Sequence, residues 1–416
     1  MTRRWLQIAL LAAALPGPPA RAAEDPALVV PACDRAIVLS LPMPDRLRPS
    51  FTGPCRLVEP GAPGPGTPAE IIAQHGAGAT AARQGRVLAA VIAPAKGTAP
   101  RRFTLRAGPV AGKVPFAFKD ISEKSLGLYD AGKPVLVYNH GVMSRPGVDR
   151  RNNRSNYLHP VYGLDGEVLT DDFPKDHRHH RGVFWAWPYL YPDVKRRRNV
   201  ESWVPARLHY RFERWTCLHR GAVAAAFGVE TSWLADKKPI VRERLGVVVH
   251  RRAGDARCLD VDLTWTAIGR PVALRGRQGK GYGGFSFRFA PRADTVVTTG
   301  SGRTRGNLIG RKLAWADLSG KFAGATGHSG AAVFVSPDHR PYPPDATAEQ
   351  YGVIYIGWPG LAEARLEPGK PVRRRYRVWI HRGAPEAKEL AKAYEAYTRG
   401  ALARWVRPTP RRRPYP

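Results

Sequence analysis

Along residues 116–381 apolar and polar positions alternate in short runs, the two-residue period of strands that lie on a core. In LDVDLTWTA, Leu259, Val261, Leu263 and Trp265 share one face, and Asp260, Asp262 and Thr264 share the other. FSFRF sets Phe285, Phe287 and Phe289 against Ser286 and Arg288. Residues 351–358 are apolar on both faces, as a central strand between two layers is. Turn chemistry punctuates the runs. Asp130-Ala131-Gly132-Lys133 joins 125–129 to 134–138, and Asp165-Gly166 sits between 157–162 and 167–170, two hairpin patterns. Glu367-Pro368-Gly369-Lys370 is a turn ahead of a strand over 375–381.

Residues 23–107 form a separate small β-rich unit. Its apolar runs, 37–41, 70–74, 86–92 and 103–106, are divided by segments such as PGAPGPG at 60–66, which neither a helix nor a central strand accommodates. One helix is predicted, over 385–404, where Leu390, Tyr394, Tyr397 and Leu402 recur at near-helical spacing among alanines. Pro408 and Pro410 end it, leaving 406–416 as a basic disordered tail. Many strands and one terminal helix make the expected fold all-β: a large antiparallel β-sandwich over 108–405 with a small N-terminal β unit and one C-terminal helix.

Residues 1–22 have the form of a secretory signal: Arg3 and Arg4, an apolar run over 6–15, and Ala20-Arg21-Ala22. The expected protein is therefore exported, periplasmic or extracellular, with no membrane span, since no later run approaches the roughly 20 apolar residues a helix needs. Export permits disulfides. Of Cys33, Cys55, Cys217 and Cys258, the first two, close in sequence, are the expected pair. The net charge of +32 is read as a solvated basic surface. Without a nucleic-acid motif beside it, nucleic acid is not an expected partner, whereas acidic polysaccharide is compatible with it.

Chemistry concentrates in residues 156–187, NYLHPVYGLDGEVLTDDFPKDHRHHRGVFWAW, which hold four of the twelve histidines: His159, His177, His179 and His180. On a strand, His177 and His179 face one way and His180 the other; on a loop all three can converge. Three uses compete. As ligands, His177 and His179 suit a divalent metal, with Asp171, Asp172 or Asp176 completing the shell. As acid–base groups, the histidines titrate near neutrality, while Trp185 and Trp187 offer flat faces for a sugar ring. Arg154, Arg181, Lys280 and Arg288 are candidates to hold its oxygens, with Tyr157, Asp171, Asp172, Tyr282 and His328 as further contacts. As structure, the cluster is satisfied by backbone beneath a tryptophan-rich core. Lys280 and Tyr282 lie in the glycine-rich LRGRQGKGYGGF, and His328 lies in GHSG. Glu243, between Arg242 and Arg244, is the candidate distant acid, or else a member of a cross-strand ion pair.

YLHPVYGLDGEVLTDDFPKDHRHHRGVFWAW, with GKGYGGFSFRF and LEPGKPVRRRYRVWIHRG downstream, resembles the PmoA-like family of secreted bacterial proteins, also labelled methane oxygenase PmoA. The resemblance covers roughly residues 86–397. It implies an exported domain of the galactose-mutarotase-like supersandwich class, in which histidines and a distant acid act on a sugar. His159, His177, His179, His180 and Lys280 would then line the cleft. Methane oxidation is not implied, because the chain has no membrane-spanning run. The expected function is action on a carbohydrate or oxidised sugar, as lyase, hydrolase or epimerase, with no organic cofactor required. The alternatives are a metal-dependent oxygenase or lyase using the same histidines, and a binding module for acidic polysaccharide.

Overall fold

The computed structural model describes residues 27–43, 52–75, 84–205 and 207–406. The expected signal at 1–22 lies outside the described residues, as does the expected tail at 406–416 apart from Val406, which ends a strand rather than starting a disordered segment. Strand pairing in the named sheets is antiparallel throughout, and two sheets of nine strands dominate. One contains Tyr157–Val161, Val183–Ala186, Gly284–Arg288, Val353–Gly357 and Asp345–Glu349; the other contains Leu208–Arg220, Ala224–Ala235, Lys238–His250, Ala256–Ala267 and Val372–Arg382. The alternation read from the sequence explains how they meet. Leu259, Val261, Leu263 and Trp265 point inward from the second sheet, and Phe285, Phe287 and Phe289 from the chain around the first, into one continuous apolar core. The protein is a large antiparallel β-sandwich with a small N-terminal β unit and one C-terminal helix. Among the described residues no helix is long and apolar enough to cross a membrane.

Both expected hairpins form. Ala131 and Gly132 have φ of 49° and 80° between Ser125–Asp130 and Lys133–Asn139, the positive values that a two-residue turn matched to strand twist requires. At Asp165-Gly166 the chain reverses with Gly163 N donating to Glu167 O at 2.8 Å and Leu169 N to Val161 O at 2.9 Å.

Among the described residues the N-terminal unit has six strands within 27–107, and a seventh, Arg404–Val406, pairs with its first, Ala27–Val30. The helix α1 (Ala387–Ala401) is therefore shorter than predicted, and the chain past it is extended. Leu390, Ala393 and Tyr397 pack on Trp315, Phe334 and Trp379 of the second large sheet, while Ala396 joins the N-terminal core; Leu402, expected on the packed face, is 62 % exposed. Polar contacts seal the same junction. Buried Glu70 accepts from the backbone N–H groups of Ala222, Val223 and Ala224, and Arg377 holds Asp260, which also accepts from Ser40.

The expected Cys33–Cys55 bridge is not made; all four cysteines are free, buried thiols. Topology gives the reason. Strand Arg101–Ala107 lies between the strand that precedes Cys33 and the strand that carries Cys55. Cys33 lies three residues past that first strand, off the sheet, so closeness in sequence does not place it against Cys55.

Candidate functional site

The histidine-rich segment is a loop clamped at its base. Asp171 N donates to Arg288 O (3.0 Å), Arg288 N to Gly182 O (2.8 Å), and Gly182 N to Asp171 O (2.7 Å). Gly182 lies against strand Tyr157–Val161 so closely that a Cβ would sit 2.0 Å from Leu158 O. No other residue fits there. Inside the loop, fully buried Arg181 binds Asp172 (3.2 Å) and the carbonyl of Asn152, with its guanidinium over the Phe173 ring. Tyr157 donates its hydroxyl to Asp172 at 3.1 Å. Tyr157, Asp172 and Arg181 thus hold the loop rather than face solvent.

At the tip, His180 N bonds His177 O (2.8 Å), a turn that brings the three imidazoles together. The His177 ring stacks on His180 (4.6 Å between centroids, 13°) and on Tyr351 (5.1 Å, 14°), while His179 stands at 90° to His180. Beneath them lie Trp203 and Tyr355. Trp203 is within 6 Å of both His179 and His180, and Tyr282 packs on Trp203 at 4.8 Å. A relay of polar atoms runs through the floor: Tyr351 Oη and Tyr355 Oη are 3.0 Å apart, and Tyr355 Oη is 3.1 Å from His180 Nε2. Arg288 underlies the Tyr351 ring and donates Nη2 to both oxygens of Asp176 (2.8 and 2.9 Å). Asp176 Oδ2 also lies 3.0 Å from His177 Nδ1, at ion-pair distance but off the hydrogen-bond direction.

Exposure grades across the cluster. The side chains of Asp176 and His177 are 44 % and 39 % exposed, His179 is half-buried, and His180 is buried. Burial sets the protonation. It lowers His179 to about 4, with neighbouring His177 and Arg154 adding repulsion, and takes His180 well below its ordinary value. Both are neutral imidazoles at pH 7. Burial raises the Tyr351 hydroxyl to about 12. A second group adjoins through Arg288. His159 Nδ1 is 3.0 Å from Thr170 Oγ1 and is lowered to about 4 by burial, opposed by Asp171, whose own carboxyl burial raises. Several polar atoms have no protein partner: His180 Nδ1, and Nε and Nη1 of Arg288, a residue only 5 % exposed. Among the described residues no group of three or more His, Cys, Asp or Glu side chains is arranged to hold a metal ion. His177 and His179, the expected metal ligands, meet edge to face at 5.8 Å between ring centroids.

Other candidates lie elsewhere. Glu243 is fully buried and accepts from the indole N–H groups of Trp185 (2.8 Å), Trp233 (3.0 Å) and Trp265 (2.8 Å) and from Asn156 (2.7 Å). It is neither an exposed acid nor an ion-pair partner of its arginine neighbours. Trp185 and Trp187 are core residues, 2 % and 0 % exposed, so neither forms the expected sugar platform. Arg154 is buried behind Trp203. Lys280 is exposed and acts electrostatically on Glu349, which also feels His177. His328 opens a strand of the opposite sheet, beside Lys321. Trp203, Glu349, Tyr351 and Tyr355 were not among the expected site residues. Tyr355 lies on strand Val353–Gly357, while Tyr351 sits in the turn that precedes it, where strand alternation carries no signal.

A family model, DUF6807, described as a family of unknown function, matches residues 125–395, which contain the whole cluster. The chain belongs to this family. No curated protein matches this DUF6807 member. Among solved structures it is similar to the heparan sulfate lyase HepC from Pedobacter heparinus, at 8% identity and a TM-score of 0.30, over 65% of this chain and 36% of that one. The DUF6807 chain thus spans about a third of that structure's length.

Proposed function

We propose that this chain binds a carbohydrate or oxidised sugar at the histidine cluster and moves a proton on it. One observation carries the reading: neutral His179 and the Tyr351–Tyr355 hydroxyl pair meet at one partly exposed surface, over a buried Arg288 whose Nε and Nη1 have no partner among the described residues. A carboxylate or carbonyl of the sugar accepts from Arg288, which makes the adjacent C–H more acidic. His179 takes that proton onto a free ring nitrogen, and the electron pair moves onto the carbonyl carbon–oxygen group. Returning the proton to the opposite face inverts the centre. Alternatively the C–O bond to a leaving sugar breaks, a C=C bond forms, and a Tyr351 proton goes to the departing oxygen. Tyr282, half-buried against Trp203, gives the ring an apolar wall.

The test is proton NMR of galacturonate and glucuronate in deuterium oxide with the purified protein. The expected result is loss of the signal from the C–H next to the carboxylate. The His177→Ala/His179→Ala variant should slow this by ~10²–10⁴-fold and keep the melting transition. Absence of exchange with either uronate in folded protein, both after chelator dialysis and with zinc restored, overturns the proposal. The zinc arm also tests metal ligation by His177 and His179.

A further inference from the structure

Behind Trp203 lies a cavity of about 430 Å³ whose walls include Arg150, Asn153, Arg154, His209 and Tyr210, within the range of small-ligand pockets (roughly 300–1,000 Å³). Its charge balance is unusual. Arg154 is only 2 % exposed, yet it makes no ion pair: Nη2 donates to the carbonyls of Ser202 and Trp203, the guanidinium lies against the Phe184 and Tyr210 rings, and Nε has no partner. Glu243, the carboxylate it feels, is occupied by Asn156 and three indoles. A buried cation without a counter-charge costs several kcal/mol, and an arriving anion would recover that. Asn153 Oδ1 is likewise buried and has no partner among the described residues, a second unsatisfied polar atom in the same wall. At the rim, exposed Arg150 has no acidic partner among the described residues, and exposed Arg151 meets only Asp149, at 3.3 Å.

The cavity adjoins the histidine cluster through one residue. Trp203 accepts from Arg154 with its carbonyl (3.2 Å) and packs its ring on His179 (5.9 Å) and His180 (5.8 Å). We infer that the cavity is a second subsite, which takes the anionic group, carboxylate or sulfate, of the sugar unit next to the one held at the histidines. The ligand is then an acidic oligosaccharide rather than a monosaccharide. This rests on the proposed function for the identity of the neighbouring unit; the demand for an anion stands on Arg154 alone.

Calorimetric titration of the full chain tests it with four probes: galacturonate, trigalacturonate, a sulfated galactose trimer and neutral galactotriose. The expected result is that one or both acidic trimers bind at least about tenfold more tightly than galacturonate, and that galactotriose shows no such gain. Which acidic trimer gains tells carboxylate from sulfate. Arg150→Ala/Arg151→Ala alters exposed side chains and should remove most of the gain while sparing galacturonate binding. Arg196→Ala/Arg198→Ala, an equal charge change elsewhere on the surface, should remove none. The inference is overturned if neither acidic trimer exceeds galacturonate, or if both double variants lose affinity equally. Galacturonate exchange that persists while the trimers gain nothing sinks the subsite and leaves the proposed function standing. Trimer binding that depends on Arg150 and Arg151 without any proton exchange supports the subsite and sinks the proposed chemistry.

Discussion

Two clusters of aromatic rings around ionisable groups sit within the same sandwich, one at Glu243 and one at His177–His180. In the first, the carboxylate oxygens accept from three tryptophans and Asn156, and Asn156 in turn accepts from Tyr138 (2.6 Å). In the second, His180 Nδ1 and two nitrogens of Arg288 have no protein partner. Both are rich in the residue types that catalysis uses; they differ in what is left over. A network that consumes its own donors and acceptors holds a fold, whereas unsatisfied groups just beneath a partly exposed surface have capacity for a ligand.

The sharpest way to break this comparison is Glu243→Ala. It strands three indole N–H groups and an amide in the core, a loss of ~4 kcal/mol or more. We expect melting to fall by roughly 5–10 °C or the cooperative transition to disappear, while His177→Ala at the part-exposed histidine cluster shifts it far less. Equal shifts in calorimetry would erase the distinction between the two clusters.

Next in size is the response to acid. Burial lowers His159, His179 and His339 to about 4, against ~6.5 in an unfolded chain. Between these values the unfolded chain binds more protons than the folded one. Stability should therefore be fully present above ~6.5, fall progressively as pH drops toward 4, and level off below. Proton exchange should stay flat from neutrality down to about 5 and fall through about 4 as His179 becomes protonated; a midpoint near 6.5 would rule out His179 as the base.

The smallest effect belongs to Tyr355→Phe. It removes one hydroxyl from the Tyr351–Tyr355–His180 relay, at a cost of about 1 kcal/mol in stability. The exchange rate should fall about tenfold if the relay carries a proton, and an unchanged rate would reduce Tyr355 to a floor residue.

How far the sequence reveals this molecule follows from the kind of signal each part carries. Alternation from Leu259 to Trp265 and the turn at Ala131-Gly132 are local, and they form as read. The clustering of histidines is local too, so their meeting at the loop tip was within reach. Trp185 and Glu243 were misplaced because pairing between strands decides them: Glu243 lies opposite Thr231 and Trp265, which surrounds it with indoles. Tyr351 and Tyr355 reach the histidines only because Val353–Gly357 pairs with Gly284–Arg288, the strand to which the loop is clamped. The final strand at Arg404–Val406 is three residues long, too short for any period to show.

That short strand has a consequence for how the protein is made. About 370 residues separate Ala27–Val30 from Arg404–Val406 in the chain, yet they lie side by side at the edge of one sheet. A nascent chain must carry its first strand with that edge unpaired while the whole sandwich emerges from the ribosome. The join between these two strands closes only once Arg404–Val406 has left the ribosome, so a chain stopped before it keeps a sticky edge that the pairing otherwise covers.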